Sequence, residues 1–591
     1  MPEGTCTTLG IGVLGMMRKA AILILWLWGV ALWGGSVAGG APDSSGLALP
    51  QIVAGEARQP QALNWAGIYG LRQIDPGLTG AGVRLGVICR SLTYLDGNPQ
   101  NDYQPNTKHA CFADTQWQFY DSRGLTPRES PHSTAVCSIL FGDDPAAVTP
   151  YLDPFLYQGA APGTEGHVYE LYHFVAQHVH PQNPPQVDVI TASFGQELED
   201  WWTRGIEALI EHHGLVFVAS IGNGSNSSEP PFYPGAGANA ISVGVVSSVN
   251  ALNPATKLAR FALAYPQESS AGPTDDGRCK PDLIAPGNCL VAAADGTEGY
   301  AMAGNWSSFS TPVVAGVAAL LVQAARQDES LQLAVSPQGG NTVLKAVLMT
   351  SAVKLPYWRK GRLGPEDDHE APLDYVQGAG VVDAVRAHRL LTAGRGRPGA
   401  VGTSGWDLNQ LETQRTFQQV YQVTVPEPAD KMLTATLTWN RHYSDQYPFH
   451  RLSDKDSDLR LEVWAVDPAH PNRDVLLDYS DSRVDNVEHI FFVTVPPYAQ
   501  YKIVVTYANL SGVMPAATER YALAWTVDEK SREENILWYD LNADGIVNEL
   551  DFKILMDNLM QVRKSPQSYL IGDINMDGTI DARDVQELLE R

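Results

Sequence analysis

The chain has 591 residues, of which 44% are hydrophobic and 18% are charged, and its formal net charge is −25. This length and apolar content predict several folded domains, each with its own core. The acidic excess disfavours binding to nucleic acids and to anionic membranes, which attract positive charge, and it is typical of a soluble extracellular protein.

Residues 1–40 have the order of a secretory signal peptide. The basic pair Arg18 and Lys19 precedes an apolar run at residues 20–33, and small residues follow at 36–40. The run is shorter than the roughly 20 apolar residues of a membrane-spanning helix. We therefore expect a cleaved signal, a secreted protein and no stable membrane span, with an uncleaved anchor as the alternative. Residues 41–60 are rich in Pro, Gly, Ser and Ala, which predicts a linker.

Between residues 61 and 395, apolar strands alternate with helical patterns. This alternation predicts an α/β domain with a parallel sheet flanked by helices. We expect buried strands at residues 80–89, 187–195 and 215–223, because each is an apolar run close to glycines. Residues 198–213 have their apolar side chains at helical spacing, which predicts a helix between two of these strands.

Three polar residues lie at the ends of these elements. His132 begins a predicted helix, Asn223 follows a strand, and Ser308 lies in a polar turn just before a small-residue apolar helix. A hydroxyl at a helix N-terminus lies beside free backbone N–H groups, which stabilise a developing oxyanion. Each residue also has a structural interpretation: Ser308 as a helix cap, His132 as a packed histidine and Asn223 as a turn residue.

Residues 308–316, Ser-Phe-Ser-Thr-Pro-Val-Val-Ala-Gly, resemble the serine signature of the subtilisin-like serine peptidases. The Gly-Thr pair that usually precedes this signature is Trp306 and Ser307 here. Residues 131–140 resemble the histidine signature of that family, and the similarity extends over about residues 63–391.

The resemblance implies peptide-bond hydrolysis on a protein or peptide substrate. It gives Ser308 the role of nucleophile, His132 that of general base and Asn223 that of oxyanion donor. It further implies that the strand ending near residue 195 lines the substrate-binding cleft with Ser193, Phe194 and Gly195.

The position of the family's catalytic aspartate is Cys89 in this chain. In a serine peptidase that carboxylate fixes the tautomer of the histidine and stabilises the imidazolium. A Cys89 thiolate beside a charged histidine, or a nearby acid such as Asp96 or Asp102, would serve instead. The sequence therefore supports a secreted serine endopeptidase that forms a Ser-His acyl-enzyme. The alternative is a weak or inactive homologue that binds peptides or acts in assembly.

Five of the six cysteines lie beyond the predicted signal, and secretion permits disulfides. Cys279 and Cys289 flank one short stretch, and we expect them to pair. The odd number leaves at least one thiol free or paired with another chain.

Residues 402–529 change to period-two patterning. Leu433, Ala435 and Leu437 alternate with threonines, and similar alternation recurs near residues 459–463 and 501–507. This pattern predicts an antiparallel β-sandwich, similar to the sandwich appended to some subtilases, with a structural role.

Residues 536–591 contain two acidic loops with the spacing of calcium ligands, each with glycine at position 6 and aspartate at position 12. The loops predict two bound Ca²⁺ ions, held by Asp540, Asn542, Asp544, the Ile546 carbonyl, Asn548 and Asp551, and by Asp573, Asn575, Asp577, Thr579, Asp581 and Asp584. A loop followed by a helix, repeated once, resembles dockerin type I and implies a small α-helical module. The resemblance implies a cohesin partner in a cellulosome-type assembly, and a calcium-stabilised tail without such a partner is the alternative.

Overall fold

A computed structural model describes residues 58–529 and 548–589 of the chain. Within these ranges it leaves out residues 92–93, 96–97, 123, 225–229, 247–268, 356–357, 362–368, 414, 426–430, 468–472, 495–497, 509–517, 563–571, 573 and 575–578. The predicted signal peptide and most of the predicted linker therefore lie outside the described residues.

The first part of the described chain forms three strands of the main sheet, the helix that carries His132 and a β-hairpin. Its elements are β1 Arg58–Gln59, α1 Gln61–Trp65, α2 Ile68–Ile74, β2 Arg84–Cys89, β3 Tyr94–Leu95, β4 Asn98–Pro99, β5 Asp102–Gln104, a 3₁₀ helix Ala110–Phe112, β6 Trp117–Tyr120, β7 Arg128–Glu129, α3 Pro131–Phe141, β8 Asp143–Thr149, β9 Leu152–Gln158 and β10 Glu165–Glu170.

The next part completes the sheet and supplies the helices that cover it. Its elements are α4 Leu171–Gln177, β11 Val189–Ala192, α5 Trp201–His213, β12 Val216–Ser220, β13 Ile241–Val246, β14 Leu283–Pro286, β15 Leu290–Ala292, β16 Tyr300–Met302, α6 Ser307–Gln327, a 3₁₀ helix Glu329–Val335, α7 Gly340–Thr350 and α8 Ala384–Thr392.

Seven of the described strands form one parallel sheet in the order β14-β13-β12-β11-β2-β10-β6. The sheet and its covering helices confirm the predicted α/β fold. The strands β11, β12 and β13 are buried along their whole length because helices cover both faces of a parallel sheet. The carboxyl ends of parallel strands meet at one edge, so the residues that follow β2, β10, β11 and β12 converge there.

The two faces of the sheet have separate cores. Helices α3 and α6 pack on one face with Val87 and Val168, whereas α5 packs on the other face with Ile88 and Tyr169. Among the described helices, α6 alone is long and apolar enough to cross a membrane, but 89% of its apolar stretch is buried inside the fold.

The C-terminal part contains two sheets, in the orders β17-β19-β24-β21-β22 and β18-β25-β20-β23. Apart from the parallel pair β17–β19, the strand pairs of these two sheets are antiparallel, as the period-two pattern predicts. Helix α7 packs against β20 and β25, and Thr350 donates a hydrogen bond to Thr436 at 2.8 Å. The elements are β17 Gly399–Val401, β18 Ser404–Glu412, β19 Gln418–Thr424, β20 Lys431–Trp439, β21 Leu459–Ala465, β22 Val475–Ser480, β23 Val487–Val493, β24 Gln500–Tyr507, β25 Thr518–Glu529, α9 Glu549–Asp557 and α10 Ala582–Leu589.

One expectation from the sequence is wrong, and the end of another lies at a slightly different residue. The end of the predicted linker is part of the fold, because β1 pairs with β9 and Gln59 is fully buried. Cys279 and Cys289 are both free thiols, as are the other three cysteines of the described chain.

Candidate active site

Ser308 lies in the first turn of α6, at the carboxyl edge of the sheet. Its hydroxyl donates to the backbone oxygen of Ser193 at 3.3 Å, and the Ser193 hydroxyl donates to the backbone oxygen of Ser308 at 2.8 Å. Small and apolar residues follow Ser308, so the helix is buried from Ser310 to Ala325. The helix N-terminus and the end of β11 are thereby held together, with the Ser308 side chain between them.

The Asn223 amide is oriented by the residue before Ser308. Its Oδ1 accepts the backbone N–H of Ser307 at 2.8 Å and the Ser307 hydroxyl at 2.7 Å. These bonds occupy the oxygen and leave the Nδ2 group to donate elsewhere. Asn223 is exposed, so this donor is accessible from the solvent side of Ser308.

His132 is the second residue of α3, which begins with Pro131 and has Ser130 as its cap. Its ring centroid lies 5.9 Å from that of Phe309, so the imidazole packs against the first turn of α6, which contains Ser308. Within the described part of the chain, His132 makes no hydrogen bond with Ser308 and no ion pair with a carboxylate. Burial lowers the pKa of His132 to about 4, so the imidazole is neutral and able to accept a proton at neutral pH.

The predicted cleft residues directly follow β11. Gly195 cannot be replaced without movement, because a Cβ there would lie 2.7 Å from the Cβ of Phe232. Gln196 bridges to Tyr233, and the Phe194 ring lies 6.3 Å from that of Trp202. The backbone of Ser193–Gly195 therefore forms a firmly held segment next to Ser308.

Two of the predicted calcium ligands begin the C-terminal helices. Asp551 in α9 accepts the backbone N–H of Asn548 at 2.7 Å, and Asp584 in α10 accepts that of Asp581 at 2.8 Å. Both aspartates are fully buried. A short antiparallel bridge pairs Val562, which follows α9, with Thr579, which precedes α10.

Three further predicted ligands, Asn548, Thr579 and Asp581, are described, and seven lie outside the described residues: Asp540, Asn542, Asp544, Ile546, Asp573, Asn575 and Asp577. Among the residues that the structure describes, no group of three or more His, Cys, Asp or Glu side chains could hold a metal ion. The calcium sites therefore stay predictions.

The subtilase family model matches residues 73–380, which is just over half of the chain and includes Cys89, His132, Asn223 and Ser308. The chain belongs to the subtilase family. A second family model, that of the dockerin type I domain, matches residues 538–591 and includes both predicted calcium loops.

Three curated relatives of this subtilase illustrate the similarity. C5a peptidase of Streptococcus pyogenes is 35% identical over 132 residues, which are 22% of this chain and 10% of that protein. Serine protease AprX of Bacillus subtilis is 29% identical over 164 residues, 24% of this chain and 35% of that protein. Pyrolysin of Pyrococcus furiosus is 28% identical over 231 residues, 35% of this chain and 15% of that protein. The chain thus spans only a tenth to about a third of the length of each relative.

Cys89 is the predicted counterpart of the family's catalytic aspartate. The thiol lies at the end of β2 and is buried, and burial raises its pKa to about 12, although the Ser133 hydroxyl partly offsets the rise. A thiol with this pKa is neutral at pH 7, which disfavours a Cys89 thiolate. Asp96 lies outside the described residues, and Asp102 is buried on β5.

Sequence patterns did not identify the role of Ser307. It stands where this family usually has threonine, and its hydroxyl and backbone N–H both bind the Asn223 oxygen. The role of Ser307 could have been predicted from the sequence, because a residue with a hydroxyl group lies directly before Ser308, as it usually does in this family. Ser307 is fully buried, so it orients the amide and does not contact solvent or substrate.

Proposed function

We propose that this subtilase is a secreted serine endopeptidase that cleaves peptide bonds through an acyl-enzyme. The main support is the Asn223 amide, whose oxygen is held by Ser307 so that its N–H group is free to donate beside Ser308. A hydrogen-bond donor held beside the N-terminus of a helix is the arrangement that stabilises the oxyanion of a tetrahedral intermediate. His132 lies next to the same serine and is neutral.

The reaction follows from these positions. The Ser308 oxygen attacks the substrate carbonyl carbon while His132 accepts the hydroxyl proton. The oxyanion accepts hydrogen bonds from Asn223 Nδ2 and from the backbone N–H of Ser308. When the intermediate collapses, the C–N bond breaks and His132 gives its proton to the leaving amine. A water molecule, deprotonated by His132, then releases the acid product and restores Ser308.

A second candidate function is a weak or inactive subtilase that binds peptides. The neutral thiol at Cys89 favours this candidate, because the His132 imidazolium lacks its usual carboxylate there. The complete set of serine, histidine and oriented asparagine favours the enzyme.

The two candidates differ in one measurement on the purified full chain. We expect a fluorophosphonate probe to label the wild-type protein, because the probe reacts only with an activated serine, and we expect no labelling of Ser308→Ala. The control is equal folding of both proteins by circular dichroism. A folded wild-type protein that stays unlabelled over several hours would make the peptide-binding function the better one.

For the C-terminal module we propose two bound Ca²⁺ ions and a cohesin-type partner. Each loop offers the hard oxygen ligands that calcium prefers, from Asp540, Asn542, Asp544, Ile546, Asn548 and Asp551 in one loop and from Asp573, Asn575, Asp577, Thr579, Asp581 and Asp584 in the other. Asp551 and Asp584, at position 12 of each loop, are buried. The dockerin match supports both proposals. Calcium supplies a positive charge that allows these carboxylates to be close together.

Removal of calcium should therefore unfold this module and abolish its binding. The measurement is surface binding of the full chain to immobilised cohesin domains from the source organism, with calcium and after EGTA. We expect the chain to bind cohesin only when calcium is present. A double variant, Asp551→Ala with Asp584→Ala, should fail to bind with calcium and after EGTA. The exposed Lys553→Ala change is a matched control on α9. Absence of binding to every such cohesin, with calcium present, would leave a calcium-stabilised tail without that partner.

A further inference from the structure

An exposed tryptophan precedes the proposed nucleophile. Trp306 is the N-cap residue of α6, one residue before Ser307 and two before Ser308, at a position where this family usually has glycine. Its side chain is 44% exposed, although tryptophan is highly buried on average. Trp306 therefore adds an exposed aromatic surface that a glycine cannot supply.

The backbone of Trp306 is held firmly by its neighbours. Its N–H donates to the Gly304 oxygen at 3.0 Å, and its own oxygen accepts the N–H groups of Phe309 at 2.9 Å and Ser310 at 3.3 Å. The same backbone packs against the buried Gly287, where an added Cβ would lie 2.9 Å from the Trp306 oxygen. Because the buried side of this backbone is filled, the indole extends towards solvent.

The indole lies across Gly304. A Cβ on that glycine would overlap the indole Nε1 and Cδ1, so only a glycine leaves room for the ring there. Gly304 is itself exposed, so the ring lies on the surface of the protein and is accessible from outside.

A peptide bound at Ser308 comes within reach of this indole. The Cα atoms of Trp306 and Ser308 are separated by two peptide bonds and so by at most about 7.6 Å. The residue between them, Ser307, binds the exposed Asn223. A reacting carbonyl must lie about 3 Å from both the nucleophile and the oxyanion donor. The substrate side chains that flank the scissile bond are therefore close to Trp306.

We propose that Trp306 is a specificity-determining residue, whose indole forms an apolar wall beside the scissile bond and selects peptides with a large apolar side chain next to that bond. The inference rests on the proposed peptidase function and names its substrate class. Contact with such a side chain removes apolar surface of both partners from water. An aromatic substrate side chain gains further, because two rings attract each other in offset or edge-to-face packing.

The test compares kcat/KM of the full chain for two peptides that have either Phe or Ala at the residue flanking the scissile bond. A peptide library read by mass spectrometry first locates that bond and shows on which side the preference lies. We expect a Phe-to-Ala ratio of about tenfold or more in the wild type, since one methylene in an apolar pocket already gives about 10- to 200-fold.

Trp306→Gly should lower this ratio about tenfold, and Trp306→Phe, which keeps an aromatic ring, should retain most of it. A structural defect would lower both rates and leave their ratio unchanged. Phe417→Ala is the matched control, because Phe417 is an aromatic residue that is 62% exposed but lies in the sandwich, just before β19. Its ratio should equal that of the wild type.

The wild-type library profile is the independent measurement, should Trp306→Gly fail to fold. A labelled wild type that cleaves peptides without a preference for large apolar side chains would overturn the role of Trp306 and leave the peptidase intact. An unchanged ratio in Trp306→Gly would do the same and would show that the indole only packs on Gly304. A folded wild-type chain that the fluorophosphonate probe does not label would contradict the proposed function, and this inference with it.

Discussion

Replacing Asn223 with alanine should lower kcat for peptide hydrolysis about 10²- to 10³-fold and change KM little. This magnitude was measured for subtilisin, a member of the same family, and is carried over rather than derived from this structure. The physical reason is that the amide donates to the oxyanion of the transition state and not to the planar carbonyl of the bound substrate. The measurement is steady-state hydrolysis of a fluorogenic peptide by the full chain.

Ser307→Ala is the graded control for this prediction. It removes the 2.7 Å bond from the Ser307 hydroxyl to Asn223 Oδ1 but keeps the 2.8 Å bond from the backbone N–H. We expect a smaller loss in kcat, of about tenfold or less, because the amide is still partly oriented. If Asn223→Ala instead raises KM and leaves kcat unchanged, the amide binds the ground state and the oxyanion role is wrong.

The sequence predicts well what depends on local pattern. The strands predicted to end at Cys89 and Asn223 end within three residues of those positions, and the predicted helix begins at Ser307, inside the polar turn that was expected to precede it. Continuous apolar runs and glycines are sufficient for this, because a parallel sheet needs both faces of each strand to be apolar. The family motifs identify His132, Asn223 and Ser308 at separate places along the chain, and the structure brings these residues to one edge of the sheet.

Properties that depend on pairing and burial are not visible in the sequence. The exposure of the Trp306 indole depends on how its backbone packs against Gly287, which needs the three-dimensional structure. The neutral state of Cys89 depends on its burial, which the motif does not report. The expected disulfide was wrong for the same reason, since only the structure shows that both thiols are buried and free.

The largest loss of stability should come from Asp282, which lies just before β14 between two lysines. Its carboxylate forms ion pairs with Lys280 at 2.7 Å and Lys345 at 3.1 Å, and it accepts the backbone N–H of Ser242 at 2.8 Å. All three charged side chains are buried. Asp282→Asn removes the only negative charge from this group and leaves two buried ammonium groups with an amide, and breaking such a pair typically costs about 3–5 kcal/mol.

The measurement for Asp282→Asn is thermal and urea unfolding of the full chain, followed by near-UV circular dichroism. The matched control is Glu129→Gln, which breaks the exposed pair with Lys108 at 4.0 Å and should cost less than about 1 kcal/mol.

The loss of stability in Asp282→Asn should also depend on pH. Burial lowers the pKa of Lys280 in the folded protein, so between that pKa and the unfolded value the unfolded chain binds more protons and stability rises with pH. Loss of Asp282 lowers the pKa of Lys280 further than its value of about 7 in the wild type, so the defect of Asp282→Asn should shrink as pH rises towards 7 and the uncompensated ammonium group of the variant gives up its proton. A defect that stays constant over this range would show that the loss comes from packing or hydrogen bonding at Asp282 and not from buried positive charge.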